Sequence, residues 1–249
     1  AAEPPKPQSF DSKGVKISYL EAGKGEPVIL VHGLDSSAAM NWVLPGTFEQ
    51  LAKKYHVVAL DLRGHGQSDK PADDASYGTP MVDDITRLMD HLKIEKAHVA
   101  GYSLGGIIVM RLMVDHPDRV LDATLGGMGY LRQGSVLQNV FENSDALALN
   151  KTPPACVHGI GKLAITDAQL KAVKVPFQVL IGDRDPVNRL YVQPLRLVRP
   201  DVKVTAIPAA GHLNTIAKPE FKEGIEKWVE AHPIKNTTSG PATSSPSAP

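Results

Sequence analysis

The chemistry in this chain starts with a serine in a tight glycine turn. Ser103 is the centre of Gly101-Tyr102-Ser103-Leu104-Gly105, a G-x-S-x-G pattern with an apolar run before it and an apolar helical stretch after it. In that strand–turn–helix setting the serine backbone is strained and its hydroxyl is pushed clear of the sheet edge. The two glycines let strand and helix approach closely. The Leu104 amide then lies at a helix N-terminus, where it can stabilise developing negative charge. A serine hydroxyl is a poor nucleophile at neutral pH and needs a base. The sequence has nine histidines. His56 and His98 lie at or in predicted strands, His91 and His116 near helix ends, and His232 beside a polar tail. His212 differs: Ala209-Ala210-Gly211-His212 falls between the last predicted strand and the last predicted helix. That puts it on the same sheet edge as Ser103, the edge that carries sites in α/β proteins. The base in turn needs an acid to fix its tautomer. Gly182-Asp183-Arg184-Asp185-Pro186 follows another predicted strand and offers two carboxylates, Asp183 and Asp185.

These groups need a scaffold, and the hydrophobic pattern supplies one. Short apolar runs at 28–31, 57–60, 98–100, 120–125, 177–181 and 202–207 read as buried strands. Most are continuous rather than alternating, as expected of a parallel sheet covered on both faces. The run 15–20 alternates better and suits an edge hairpin with the stretch before it. Val82, Ile85, Leu88, Met89 and Leu92 fall at helical spacing, with Thr79 and Pro80 as an N-cap and N1 pair. A second helix, apolar nearly all round, follows Ser103 and ends at His116-Pro117, and a third carries Phe221, Ile225, Trp228 and Val229 on one face. Strands alternating with helices predict a mostly parallel twisted sheet with right-handed crossovers. The segment 130–174 breaks the alternation and reads as a short helical insertion over one end of the sheet.

Composition removes several competing functions. Lys plus Arg and Asp plus Glu both number 27, giving zero formal net charge, which argues against a general nucleic-acid binder or a polybasic membrane-surface protein. The single cysteine, Cys156, excludes an internal disulfide and a cysteine-based zinc site. No His-x-His or His-x-x-x-His pair suggests a metal, and no apolar run is long enough for a transmembrane helix. The small residues at the start, without methionine, read as the product of signal-peptide cleavage, so a periplasmic or secreted location is expected, with the cytoplasm as the alternative. Residues 1–9 are expected to be a flexible lead-in, 10–232 one domain, and the Pro/Ser/Thr-rich residues 233–249 a disordered tail.

Taken together, the motifs resemble the α/β-hydrolase superfamily, in its single-domain serine esterase and haloperoxidase-like branch. The resemblance covers about 10–231, with 130–174 matching least. Five segments carry it in order: Val31-His32-Gly33, Asp61 to Asp69 (DLRGHGQSD), Gly101-Tyr102-Ser103-Leu104-Gly105-Gly106, Gly182-Asp183-Arg184-Asp185-Pro186, and Gly211-His212. The family pattern G-x-x-D selects Asp185 over Asp183, leaving Asp183 a loop-capping role, and the Gly126-Gly127-Met128 stretch has no acid to compete. The match implies a catalytic triad of Ser103, Asp185 and His212, with the backbone amides of Leu34 and Leu104 as oxyanion hole. It gives His32 the task of tying down its own loop and makes Asp61, Arg63 and His65 parts of a structural turn.

The resemblance implies hydrolysis of a small-molecule carboxylic ester through an acyl-enzyme, with no cofactor. A serine nucleophile excludes the haloalkane dehalogenases and epoxide hydrolases of this fold, which use aspartate. Perhydrolase, lactone or C–C bond hydrolysis with the same triad stay open, as does a non-catalytic hydrolase-like binding protein. Leu131, Val136, Leu137, Val140, Phe141, Leu147 and Leu149 are expected to line an acyl pocket under the short lid, favouring short-chain or aryl esters.

Overall fold

A computed structural model of the chain describes residues 5–143 and 152–234. Eight strands form one sheet: β1 (Gln8–Ser12), β2 (Val15–Ala22), β3 (Pro27–Val31), β4 (His56–Leu60), β5 (Ala97–Tyr102), β6 (Val120–Gly126), β7 (Phe177–Gly182) and β8 (Lys203–Ile207). Their spatial order is β1-β2-β4-β3-β5-β6-β7-β8. β2 pairs antiparallel with both β1 and β4, and every other pairing is parallel. The fold is that of an α/β hydrolase. The hairpin turns through Lys13 and Gly14, both at positive φ, and the Asp11 carboxylate accepts the Gly14 amide. β1 starts at Gln8, so ordered structure begins ahead of the Phe10 boundary expected from composition.

The helices are α1 (Thr47–Ala52), α2 (Thr79–His91), α3 (Leu104–Asp115), α4 (Val136–Asn143), α5 (Pro154–Gly161), α6 (Asp167–Ala172), α7 (Gln193–Val198) and α8 (Pro219–Glu230). Two hydrophobic cores lie on opposite faces of the sheet. Ile29, Val31, Val58, Leu60 and Val99 meet α2 and α3 on one face. Val28, Leu30, Val57, Ala59 and Ala100 meet Trp42, Phe48, Phe221 and Ile225 on the other. Successive strand residues point to opposite faces, so a run such as Val28 to Val31 must be apolar throughout to feed both cores.

Two expectations change at the element level. β8 was expected to be buried, yet Lys203, Thr205 and Ala206 are exposed and only Ile207 is buried, because this strand is the sheet's last and has a neighbour on one side alone. α2 is capped by Gly78, so Thr79 is already its first residue and makes no side-chain cap. The insertion between β6 and β7 holds α4, α5 and α6, and Asp167 at the start of α6 takes a two-pronged ion pair from Arg132. Leu131 is part of the main core, Leu137 and Phe141 pack against it, and Val136 and Val140 are exposed. Leu147 and Leu149 lie outside the described residues, as do residues 235–249 of the expected tail. Among the described residues, no helix is long and apolar enough to cross a membrane.

Candidate active site

In the sheet β3 lies between β4 and β5, although the chain visits it before both. The connection reverses direction there, and the crevice outside the carboxyl ends of such strands is where α/β proteins place ligands. The loop after β3 and the turn after β5 face each other in that crevice: a Cβ built on Gly33 would stand 3.2 Å from Ser103 Cβ.

Ser103 occupies φ 54°, ψ −117°, outside the regions open to ordinary L-residues. Packing on both sides enforces this strain. The Ser103 amide donates to the Gly126 carbonyl of β6 at 2.9 Å, and α3 begins at the next residue. Gly105 holds α3 against β3 so closely that a Cβ there would fall 2.1 Å from the Val31 carbonyl oxygen.

The serine hydroxyl lies 2.9 Å from His212 Nε2, and His212 Nδ1 lies 2.9 Å from Asp185 Oδ2. The carboxylate can only accept, so Nδ1 carries the proton and Nε2 presents its lone pair to the serine hydroxyl. Asp185 is 4% exposed, and its other oxygen accepts the Val187 amide at 2.9 Å. The sequence-predicted Ser103, Asp185 and His212 are thus brought together in one hydrogen-bonded chain. Asp183 points elsewhere. Its two oxygens accept the amides of Ala209 and Ala210, each at 3.1 Å. These bonds hold its carboxyl below the usual carboxylate range and tie the loop after β7 to the loop carrying His212. The Arg184 amide adds a third tie, to the Ala210 carbonyl at 2.9 Å.

The amides of Leu34 and Leu104 can be placed by the carbonyls of their own peptide units. In a trans peptide, C=O and N–H point in opposite directions. His32 Nδ1 donates to the Gly33 carbonyl at 2.7 Å, which turns the Leu34 N–H the other way. The Ser103 carbonyl accepts the Gly106 and Ile107 amides of α3, which turns the Leu104 N–H away from the helix. Among the described residues, neither amide donates to another protein group. His32 Nε2 accepts the Leu62 amide at 3.0 Å, so both ring nitrogens are used and the ring is neutral. Burial, with His65 adding to it, pushes its pKa down to about 3.

Two positioning residues carried no sequence signal. The Asn41 side-chain oxygen accepts the Gly33 amide at 2.8 Å, from a short π-helical segment, Ala39–Val43, downstream. Tyr102, a variable position of the serine motif, donates its hydroxyl to the His212 carbonyl, and its ring lies 5.7 Å from the imidazole. Burial and the Asp185 charge raise the Tyr102 pKa, keeping it a donor. The Asp61 carboxylate accepts the Ala38 and Gln67 amides, each at 2.8 Å, and Arg63 pairs with buried Asp84, so both residues brace the loops around the crevice. Among the described residues, no cluster of three or more His, Cys, Asp or Glu side chains could hold a metal ion.

The α/β hydrolase fold family model matches residues 26–154, and the chain belongs to that family. It is 40% identical over 119 residues to the dihydrolipoyllysine-residue acetyltransferase component of the acetoin cleaving system of Cupriavidus necator, covering 47% of this chain and 31% of that protein. It is 37% identical over 117 residues to 2-hydroxymuconate semialdehyde hydrolase of a Pseudomonas species, covering 46% of this chain and 40% of that protein. The chain therefore spans less than half the length of either curated relative. Among solved structures, Est816, an N-acyl homoserine lactone degrading enzyme, superimposes with a TM-score of 0.73 at 25% identity, covering 89% of this chain and all of that one.

Proposed function

We propose that this protein is a serine hydrolase of small carboxylic esters, acting through an acyl-enzyme. The observation that carries the reading is the unbroken chain from Ser103 Oγ through the His212 ring to buried Asp185. In the first step His212 Nε2 takes the serine proton as Oγ bonds to the ester carbonyl carbon. The carbonyl oxygen becomes an oxyanion facing the Leu34 and Leu104 amides. The imidazolium is stabilised by the Asp185 carboxylate, and it then protonates the departing alcohol as the C–O bond breaks. Water attacks the acyl-enzyme by the same route in reverse, returning the acid and free Ser103. Every group in the scheme belongs to this chain.

A neighbour that degrades an N-acyl homoserine lactone and a relative named as a 2-hydroxymuconate semialdehyde hydrolase support hydrolysis in general, so the substrate panel should contain linear esters, lactones and a vinylogous C–C substrate. The test is a pre-steady-state burst with p-nitrophenyl acetate, in the presence and absence of peroxide. Wild type should release about one p-nitrophenolate per chain before the steady state. Ser103→Ala should lose the burst and about a million-fold in kcat. A variant that keeps more than a few percent of the wild-type rate, or a wild type with no turnover of any panel member, overturns the reading.

A further inference from the structure

Exposed leucines and unpaired cations meet on one helical face outside the site described above. The connection from β7 to β8 runs through a π-helical segment, Asn188–Val192, directly into α7. Tyr191, Val192 and Leu195 turn one side of this connection into the main core. The other side shows Arg189, Leu190, Gln193, Arg196 and Leu197 to solvent. Leu197 is 86% exposed and Leu190 48%, although the same stretch buries its other large apolar residues. Leaving two leucines in water beside a well-filled core marks a face that is covered by something else.

Charge separates this region from the rest of the molecule. The whole chain has zero formal net charge, but residues 168–201 hold six Lys and Arg against three Asp and no Glu. All three acids are committed. Asp183 accepts the Ala209 and Ala210 amides, Asp185 meets His212, and Asp201 pairs with Arg199. Asp167, just before this stretch, is taken by Arg132. The remaining cations, Lys171, Lys174, Arg184, Arg189 and Arg196, are all exposed. Among the described residues, none of these five side chains makes a hydrogen bond or an ion pair. Arg199 also donates to the carbonyls of Leu170 and Val173, which holds the lysine-bearing end of α6 beside the end of α7.

A partner has to accept apolar side chains and balance positive charge along the same face. An acidic polymer balances the arginines but leaves the leucines in water. A bilayer with anionic lipid does both, and it needs no matched shape: leucines enter below the headgroups while guanidinium groups meet lipid phosphates. We infer that this face docks the protein on the surface of a membrane containing anionic phospholipid, without crossing it. So short an apolar stripe gives reversible attachment. The face begins at Arg189, four residues beyond Asp185, so docking holds the acid loop near the lipid surface. The inference concerns binding and stands independently of the ester-hydrolase reading.

The test is co-sedimentation of the full chain with vesicles at physiological ionic strength. One set is phosphatidylcholine alone, and the other is equimolar phosphatidylcholine and phosphatidylglycerol. Wild type should bind the mixed vesicles and leave the neutral ones largely free. Arg189→Gln combined with Arg196→Gln should weaken partition onto the mixed vesicles about thirty-fold. Leu190→Ser combined with Leu197→Ser should weaken it about ten-fold or more, a loss that adsorption by charge alone does not produce. Circular dichroism should show both double variants folded like wild type, since all four side chains are exposed. Equal partition onto the two kinds of vesicle overturns the proposal, as does binding that survives either double variant. Capture by polyglutamate without binding to either vesicle would assign the face to an acidic polymer and overturn it too.

Discussion

Asp183 and Asp185 stand two residues apart on one loop, and their environments assign them different work. Asp185 is buried and meets His212, while Asp183 joins the two loops through the amides of Ala209 and Ala210. Asp185→Asn keeps the shape but lets the amide hold the wrong imidazole tautomer, so kcat should fall about 10⁴-fold. Asp183→Asn should lower kcat far less and act through looser placement of the loop carrying His212. Steady-state rates of the two folded variants check the ranking, and the reverse order would make Asp183 the partner of the base. His32 makes a different prediction. Because its Nδ1 holds the Gly33–Leu34 peptide while its Nε2 is anchored by the Leu62 amide, His32→Ala should reduce kcat more than it raises KM. The loss expected for misdirecting one oxyanion donor is about 10²-fold. The sequence carried the serine, the acid pair and the histidine, because a motif fixes residue types at fixed offsets. It carried nothing for Asn41, whose oxygen reaches the Gly33 amide only because the segment between them folds back.

At the scale of elements, the strand–turn–helix unit around Ser103 depends on how near α3 comes to β3. A methyl group on Gly105 would overlap the carbonyl oxygen of Val31 and crowd that of His32, and both contacts are backbone. Gly105→Ala should therefore displace the helix and destabilise the domain by about 3 kcal/mol. It should also reduce activity, since the Leu104 amide moves with the helix. Urea unfolding followed by circular dichroism measures the first effect, and a stability within a few tenths of a kcal/mol of wild type would show that the helix shifts freely. The insertion was legible from sequence as a break in the alternation of strands and helices. Which of its apolar residues face a pocket was not: Leu131, read as pocket lining, is 1% exposed within the main core. Core and lining positions have the same composition, and only packing separates them.

For the whole molecule, buried histidines with opposite shifts contribute to the pH dependence of stability: burial lowers His32 and His65, and His98 is raised. Burial and His65 hold the His32 pKa at about 3, against the ordinary 6.5. The unfolded chain takes up that proton first, so the His32 contribution is complete above pH 6.5 and is lost as pH falls towards 3. His98 runs the other way. Its burial lowers the pKa, but hydrogen bonds and charge from Asp122 and Glu26 outweigh this and raise it above 6.5. Its contribution is complete below 6.5 and declines as pH rises through the folded value. The two windows do not overlap, so these residues together favour a stability maximum near pH 6.5. Lowering the pH from neutral to about 5 should cost about 2 kcal/mol through His32. His32→Gln should flatten the acid limb of a urea-unfolding series and His98→Gln the alkaline limb. A limb unchanged by its own variant would assign the pH dependence to other groups.

Much of this protein was determined by local pattern. Continuous apolar runs fixed a parallel sheet, since each strand residue must be apolar to feed a core on either face. Glycine spacing fixed the serine turn, and the order of serine, acid and histidine followed from the order of strands. The tertiary structure decided what depends on residues distant in the chain. It gave the Asp183 carboxylate its partners, the amides of Ala209 and Ala210, and gave His32 both of its own. It exposed β8 as an edge, which a run of residues cannot reveal because edge position depends on where the other strands go. It also left Asp35, Ser36 and His65 each with a buried polar atom that has no hydrogen-bond partner, although His65 looks like scaffold in its motif. Hydrogen-bond satisfaction is a property of three-dimensional neighbours, and no spacing along the sequence records it.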